Sequence, residues 1–261
     1  MKLSAACMAC MVKRQEEAIR EYPDEEKKSD YLREVLRLLA ETPEGVSAPA
    51  ATERISLLHE EYFGKPYSFR ELKRIYNAKM LDLEEEIGRD IAASADPLRL
   101  ALQFARVGNY IDFGAMGTVE DGKLRSLLAR AQEDPVDEKT YEAWKQDLHR
   151  AKRLAYCTDN CGEIVLDKLL IRQLKQAYPG LEVTVLVRGR EVLNDATLED
   201  AEEVGLSKEA RVLGNGTQIA GTDLERLSPE ARKAMDEADL IVSKGQGNFE
   251  TLHGCGRNVY Y

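Results

Sequence analysis

Three short stretches of this 261-residue sequence combine residue types that can do chemistry at close spacing. In Thr158-Asp159-Asn160-Cys161-Gly162-Glu163 a carboxylate and an amide oxygen stand side by side, and Asn194-Asp195 repeats the pair in reverse order. Hard oxygen donors of this kind suit Mg, Mn or a similar divalent ion. The third stretch, Ser243-Lys244-Gly245-Gln246-Gly247-Asn248, joins a cation to a glycine-rich turn. Glycines let backbone N–H groups come close to an anion and the ammonium supplies charge, which together suit a phosphate. No G-x-x-x-x-G-K-[ST] is present, so this is not a P-loop. Singly, each stretch has an ordinary explanation. Asp-Asn is common turn chemistry, and Asn-Asp before Thr197 fits the start of a helix. Their weight depends on where the surrounding elements place them.

Short β-rich runs recur at Leu154–Thr158, Val183–Val187, Arg211–Leu213, Leu240–Ser243 and Asn258–Tyr261. The first four start about 27 to 29 residues apart, enough for a strand, a helix and two loops. Helical candidates fill the intervals at Ile164–Gln176, Thr197–Val204 and Pro229–Glu237. This alternation predicts an α/β fold with a mostly parallel sheet, right-handed crossovers and helices on both faces, a Rossmann-like αβα sandwich. Ligands of such sheets collect at the carboxyl ends of the strands, and the three polar stretches are the exits of the first, second and fourth runs. The third run leaves through "GNGTQIAGTD", where Ile219 occupies the last glycine position of a dinucleotide fingerprint, so a NAD site is disfavoured. From about Cys10 to Arg150 apolar residues recur at three and four, as in Leu32, Val35, Leu36 and Leu39 or Leu72, Ile75, Tyr76, Met80 and Leu83. We therefore divide the chain into a helical region, 1–150, and a Rossmann-like region, 151–261, that carries the site. The charge run Lys79–Glu86 is expected to be the solvated face of a helix. The sequence stops on "RNVYY", within an expected strand, which predicts that a covering C-terminal element is missing.

Composition narrows the function classes. With 47 acidic against 37 basic residues the formal charge is −10, which repels phosphate backbones and anionic lipid, so nucleic acid is not an expected partner. The charge-free run Leu3–Val12 is far short of the roughly 20 residues that span a bilayer, so no membrane association is expected and the chain reads as cytoplasmic. Five cysteines in a chain of this length read as reduced thiols. Cys7-x-x-Cys10 is the one pair with ligand or redox spacing, and it carries an alternative: a non-catalytic metal or small-ligand binding protein. His59, His149 and His253 show no ligand spacing, and the single Trp144 reads as packing.

At these same residues the sequence resembles the metal-dependent damage-control phosphatase family, in its prokaryotic branch, formerly a domain of unknown function and once proposed to contain carboxyl methyltransferases. The matching stretches are "DNCGEIVLDKLLI" from Asp159, "LNDATLEDA" from Leu193, "GTDLERLS" from Gly221, "DLIVSKGQGNFETL" from Asp239, "GNYIDFGAM" from Gly108 and the N-terminal "CMACMVKRQEEAIR". The resemblance implies a helical N-terminal region packed on a Rossmann-like sandwich. It implies a divalent ion (Mn, Co, Ni or Mg) held by Asp159, Asn160 and Asp195. It further places Lys244 with Gly245, Gly247 and Asn248 against the substrate phosphate, and Asn109 and Asp112 at the helical side of the site. The implied reaction is hydrolysis of phosphate monoesters on small metabolites, sugar phosphates or damaged phosphometabolites. Cys161 stands where relatives usually have Ala, which puts a thiol beside the expected metal. Hydrolysis needs charge neutralisation and an in-line nucleophile. The ion and Lys244 would supply the first, and a metal-bound water with Asp159 or Asp195 as ligand and base the second. The D-x-D of carboxylate-nucleophile phosphatases is absent because Cys161 follows Asp159 at the second place. A methyltransferase reading lacks any glycine-rich nucleoside motif after the first strand.

Overall fold

The computed structural model describes residues 1–65, 68–109 and 121–261. Its helices begin where capping residues allow. Ser4, Asp24, Ser47, Asp96 and Asp137 each accept a hydrogen bond from a backbone N–H in the first turn of α1 (Ala5–Ile19), α2 (Glu25–Ala40), α3 (Ala48–Phe63), α5 (Pro97–Gly108) and α7 (Glu138–Arg150) respectively. Each such cap stabilises its helix by about 1 kcal/mol. The long α4 (Arg70–Ala93) and the short α6 (Asp121–Ala129) complete the helical region. Helices α1–α3 enclose an apolar cluster of their own around Met11, Tyr31, Val35 and Ile55.

From Arg153 the period changes to two. The chain runs β1 (Arg153–Cys157), α8 (Glu163–Ala177), β2 (Glu182–Val187), α9 (Leu198–Glu203), β3 (Arg211–Gly214), α10 (Pro229–Glu237), β4 (Leu240–Ser243), α11 (Gln246–Leu252) and β5 (Val259–Tyr260). All five strands are parallel, in the order β3-β2-β1-β4-β5. Alternate residues feed two different cores, as strand geometry requires. Leu154, Tyr156, Val183, Val185, Leu240 and Val242 join a cluster with Tyr76, Met80, Phe104, Trp144 and Leu166, so one core is continuous across residue 150. Ala155, Cys157, Leu186 and Ile241 face the other way, onto Ala231, Met235 and Leu252 of α10 and α11. The fold is thus α/β, a helical N-terminal region packed on a parallel sheet covered on both faces.

Two local expectations change. The charge run Lys79–Glu86 is not simply a solvated face: Met80 and Leu83 are buried, and Glu84 ion-pairs with Lys168 and Arg172 of α8 at 2.7 and 3.4 Å. The glycine-rich stretch after β4 is only briefly a turn, because α11 begins at Gln246. Among the described residues, no helix is long and apolar enough to cross a membrane.

Candidate metal and phosphate site

Strand order makes the site. Because β1 lies between β2 and β4, the exits carrying Asp159, Asp195 and Lys244 are neighbours at one sheet edge. The first two exits are tied by backbone: Cys161 N–H donates to Asn194 O at 2.8 Å and Ala196 N–H to Asp159 O at 2.7 Å, with Asn160 and Asp195 bridged antiparallel. From the helical side Asn109, at the C-terminus of α5, donates its amide to Asp159 Oδ2 at 3.0 Å and to both Glu163 oxygens at 3.2 and 3.1 Å. Asn160 Nδ2 donates to Asp159 Oδ2 at 2.9 Å and to Glu163 Oε2 at 3.1 Å. Asp112 lies outside the described residues.

The cations sit behind this layer. Arg188, 1% exposed, leaves β2 and donates to Asp195 at 2.5 Å and to Asp159 at 3.4 Å. Lys244, 9% exposed, holds Nζ between Glu163 and Asp167, with Asp167 Oδ1 at 2.7 Å. Asp167 also accepts from Tyr156 Oη at 2.6 Å. Lys244 therefore lies at the expected strand end, with its ammonium engaged by two carboxylates. Asn248 is fully buried: it donates to Thr158 O and Lys244 O and accepts from Arg188 and Thr222. Expected on substrate, Asn248 instead braces Arg188 and the backbone of two strand exits. The glycines answer to close packing. A Cβ on Gly245, whose φ is +83°, would fall 2.1 to 2.5 Å from the Asp159 carboxylate, and one on Gly247 would fall 1.8 Å from Ala220 O.

Four carboxylates, the partly buried Asp159 and the buried Glu163, Asp167 and Asp195, thus share two buried cations, Arg188 and Lys244, so that two negative charges are in excess when all four are ionised. The electrostatics follow. Burial, then the charges of Asp195 and Glu163, push the Asp159 carboxyl up to about 7 despite Arg188 and Asn109. Burial also raises Asp195, against the pull of Arg188, and lifts Asp167 to about 6 against the pull of Lys244. Burial alone would lower Lys244, but Asp167 and Glu163 override it and hold the ammonium charged. Buried charge of one sign in excess is costly unless a counter-ion is bound. Among the described residues no three Asp, Glu, His or Cys side chains form a ready-made coordination cluster. Amide groups complete the donor set instead. The amide nitrogens of Asn109 and Asn160 now give Asp159 and Glu163 the positive partners that a cation would otherwise give. An all-oxygen set with two surplus negative charges fits a hard divalent ion. Cys161 does not alter that fit: its side chain is buried in the apolar core, and burial pushes its thiol up, so it stays protonated.

The alternative resting on Cys7 and Cys10 finds less. Cys10 is exposed on α1, and Cys7 Sγ accepts from Ser4 Oγ at 3.0 Å beside a cluster separate from the sheet. No third Cys, His or carboxylate joins them among the described residues.

Comparison with known proteins now decides the family. The sequence profile described as "Damage-control phosphatase ARMT1-like domain" matches residues 3–259. The chain belongs to the ARMT1-like damage-control phosphatase family. A relative named damage-control phosphatase, from Archaeoglobus fulgidus, is 36% identical over 266 residues, covering 97% of this chain and 88% of that protein. Another of the same name, from Pyrococcus horikoshii, is 36% identical over 153 residues, covering 59% of this chain and 52% of that protein. The crystal structure of a DUF89 family protein from Pyrococcus horikoshii superposes with a TM-score of 0.81 at 29% identity, covering 97% of this chain and 87% of that one.

Residue types had singled out Asp159, Asn160, Asp195 and Lys244, and the fold of this family member brings them to one edge with Asn109. Glu163, Arg188 and Asp167 were missed. Glu163 looks like an ordinary acid in the first turn of α8, where a helix favours negative charge. Arg188 had a signal, a cation closing the apolar run Val183–Val187.

Proposed function

We propose that this family member is a divalent-metal-dependent phosphatase that hydrolyses phosphate monoesters of small metabolites, sugar phosphates or damaged phosphometabolites. The observation that carries this reading is the excess of two negative charges at the carboxyl edge of the sheet, flanked by a lysine and a close-packed glycine turn. Asp159, Asn160 and Asp195 would hold the ion, with Glu163 adding to the negative field. Such an ion supplies Lewis-acid charge to the phosphoryl oxygens and to the attacking water.

The chain's own groups do the rest. Arg188 and Asn248 keep Asp195 and Asp159 from swinging into the core, fixing their carboxylates at the edge. Asn109 ties the helical region to Asp159 and Glu163, so the helical region borders the site. Asp159, beside the ion it would help hold, is the group placed to take the proton of the attacking water, and Asp195 shares the carboxylate charge beside it. Lys244, its ammonium held by Glu163 and Asp167, positions the α8 carboxylates behind the site, the backbone at Gly245 and Gly247 would face the phosphate, and Asp112 would add a hydrogen-bonding group for the metabolite. The purified protein should release phosphate from an aryl phosphate in the presence of Mn, Co, Ni or Mg, and Asp159→Ala should abolish that release. Metal-independent turnover that survives the substitution contradicts the proposal.

A further inference from the structure

Asn77 is a fully buried polar residue in the middle of α4, far in sequence from every strand exit. An asparagine in a helix interior gives up helix propensity and pays desolvation, so its partners must account for it. Its Nδ2 donates to Asp200 Oδ1 at 3.0 Å and to Glu203 Oε2 at 2.7 Å. With two carboxylates on that side, Oδ1 faces the other way and accepts from Gly162 N–H at 2.7 Å. These partners belong to different segments, Gly162 to the loop after β1, and Asp200 and Glu203 to α9, which follows the β2 exit. Gly162 precedes α8 at φ 67° and ψ −56°, a conformation open chiefly to glycine, and lies between Asn160 and Glu163. Asp200 accepts from Thr197 N–H at 2.8 Å and Thr197 Oγ1 at 2.7 Å, closing a capping box two residues beyond Asp195. One turn earlier on α4, Lys73 forms a buried ion pair with the same Asp200 at 2.5 Å and reaches Thr197 Oγ1 at 3.4 Å.

One face of α4 thus grips Gly162, between the loop carrying Asp159 and Asn160 and the start of α8 at Glu163, and the capped start of α9 just after the loop carrying Asp195. We propose that Asn77, backed by Lys73, is a positioning residue that clamps these two loops in register and so sets how tightly the sheet edge holds a divalent cation. The inference rests on the metal-dependent reading above. Groups that orient ligands from behind typically change metal affinity by about 10- to 100-fold when removed. The clamp also gives the helical region a role beyond covering the sheet: its fourth helix adds a side-chain tie behind two exits that backbone hydrogen bonds already join.

The test uses the full chain and Mn²⁺ as probe. Asn77→Leu, near in size but without hydrogen bonds, should weaken Mn²⁺ binding by calorimetry about 10- to 100-fold and lower kcat on an aryl phosphate by about as much, measured well below its own Tm. Asn77→Ser, whose smaller hydroxyl leaves room for water, reads the same quantities if Asn77→Leu does not fold. Lys168→Met is the control. Lys168 ties α8 to Glu84 of α4 and to Val204 O, at 2.7 and 2.6 Å, without touching either ligand loop. It should lower Tm yet leave Mn²⁺ affinity and kcat within about twofold of the native protein. Asn77 variants that fold and keep native Mn²⁺ affinity and kcat overturn the clamp. If the native protein hydrolyses esters without binding Mn²⁺, the metal reading fails separately, and the clamp stands or falls on kcat alone. Native protein that neither binds nor hydrolyses sinks both.

Discussion

At the amino edge of the sheet, Asp239 is exposed and accepts two backbone N–H bonds, from Lys152 at 2.7 Å and Arg153 at 2.9 Å, which hold its carboxyl below the usual range. At the carboxyl edge, Asp159 is half-buried among other carboxylates and its carboxyl rises to about 7. The amino edge opens into a cleft of about 840 Å³ lined by His149, Arg150, Lys152, Arg153, Tyr178 and Glu182 among others. Its charges nevertheless have solvent to screen them, and pairs such as Arg153 with Glu182 at 3.7 Å stay exposed. The carboxyl edge, with its carboxylates buried or half-buried, is the one where negative charge outnumbers positive. Cleft size is therefore a poor guide here, and the balance of buried charge a better one.

The contrast breaks most visibly through substitutions. Asp159→Ala should lower kcat/KM at least about a thousandfold, about 4 kcal/mol of transition-state stabilisation, while Asp239→Asn leaves turnover unchanged. Equal losses in steady-state assays would erase the distinction between the edges. Arg188→Met removes the cation shared by Asp159 and Asp195. In metal-free protein it should cost about 3–5 kcal/mol by denaturant unfolding. Saturating Mn²⁺ should then raise the Tm of the variant more than that of the native protein, and an equal shift would show that Arg188 and the ion do not answer to the same charge. Gly245→Ala forces a Cβ into the Asp159 carboxylate at positive φ, and should cost about 1–3 kcal/mol in stability along with activity. Circular-dichroism melts that show no loss would mean that the strand exits are not packed as described.

The pH dependence sharpens the same comparison. Asp159 has a raised folded-state pKa, so in chelated protein its contribution to stability is present below the ordinary carboxylate value and is lost as pH rises toward 7. Asp239 has a lowered one, so its contribution is present above the ordinary value and is lost as pH falls below it. Stability curves of metal-free Asp159→Asn should show a shallower decline between about pH 4 and 7, the remainder coming from Asp167 and Asp195. Those of Asp239→Asn should differ from native only by less than about 1 kcal/mol, because solvent screens that site.

Much of this edge was legible in the sequence because a strand announces its own exit. Apolar runs such as Leu154–Cys157 and Leu240–Val242 end where Asp159 and Lys244 begin, so residue type and position point together. What stayed hidden depends on three-dimensional burial. Asn248 has the composition of a ligand but turns its amide onto Arg188, and α11 was masked by the glycines that open it. Glu163 and Asp167 sit four residues apart on α8, a spacing that any solvated helix face shows. Only the crossing of β4 beside β1 brings Lys244 to them and turns that face into a buried network.

Surplus carboxylate charge draws a divalent cation to the meeting point of the β1 and β2 exits. Anomalous diffraction from crystals grown with Mn²⁺ tests it most directly. A peak in contact with Asp159, Asn160 and Asp195 is the predicted result. Fully occupied Mn²⁺ elsewhere, with these three side chains unmoved and no density between them, would contradict it.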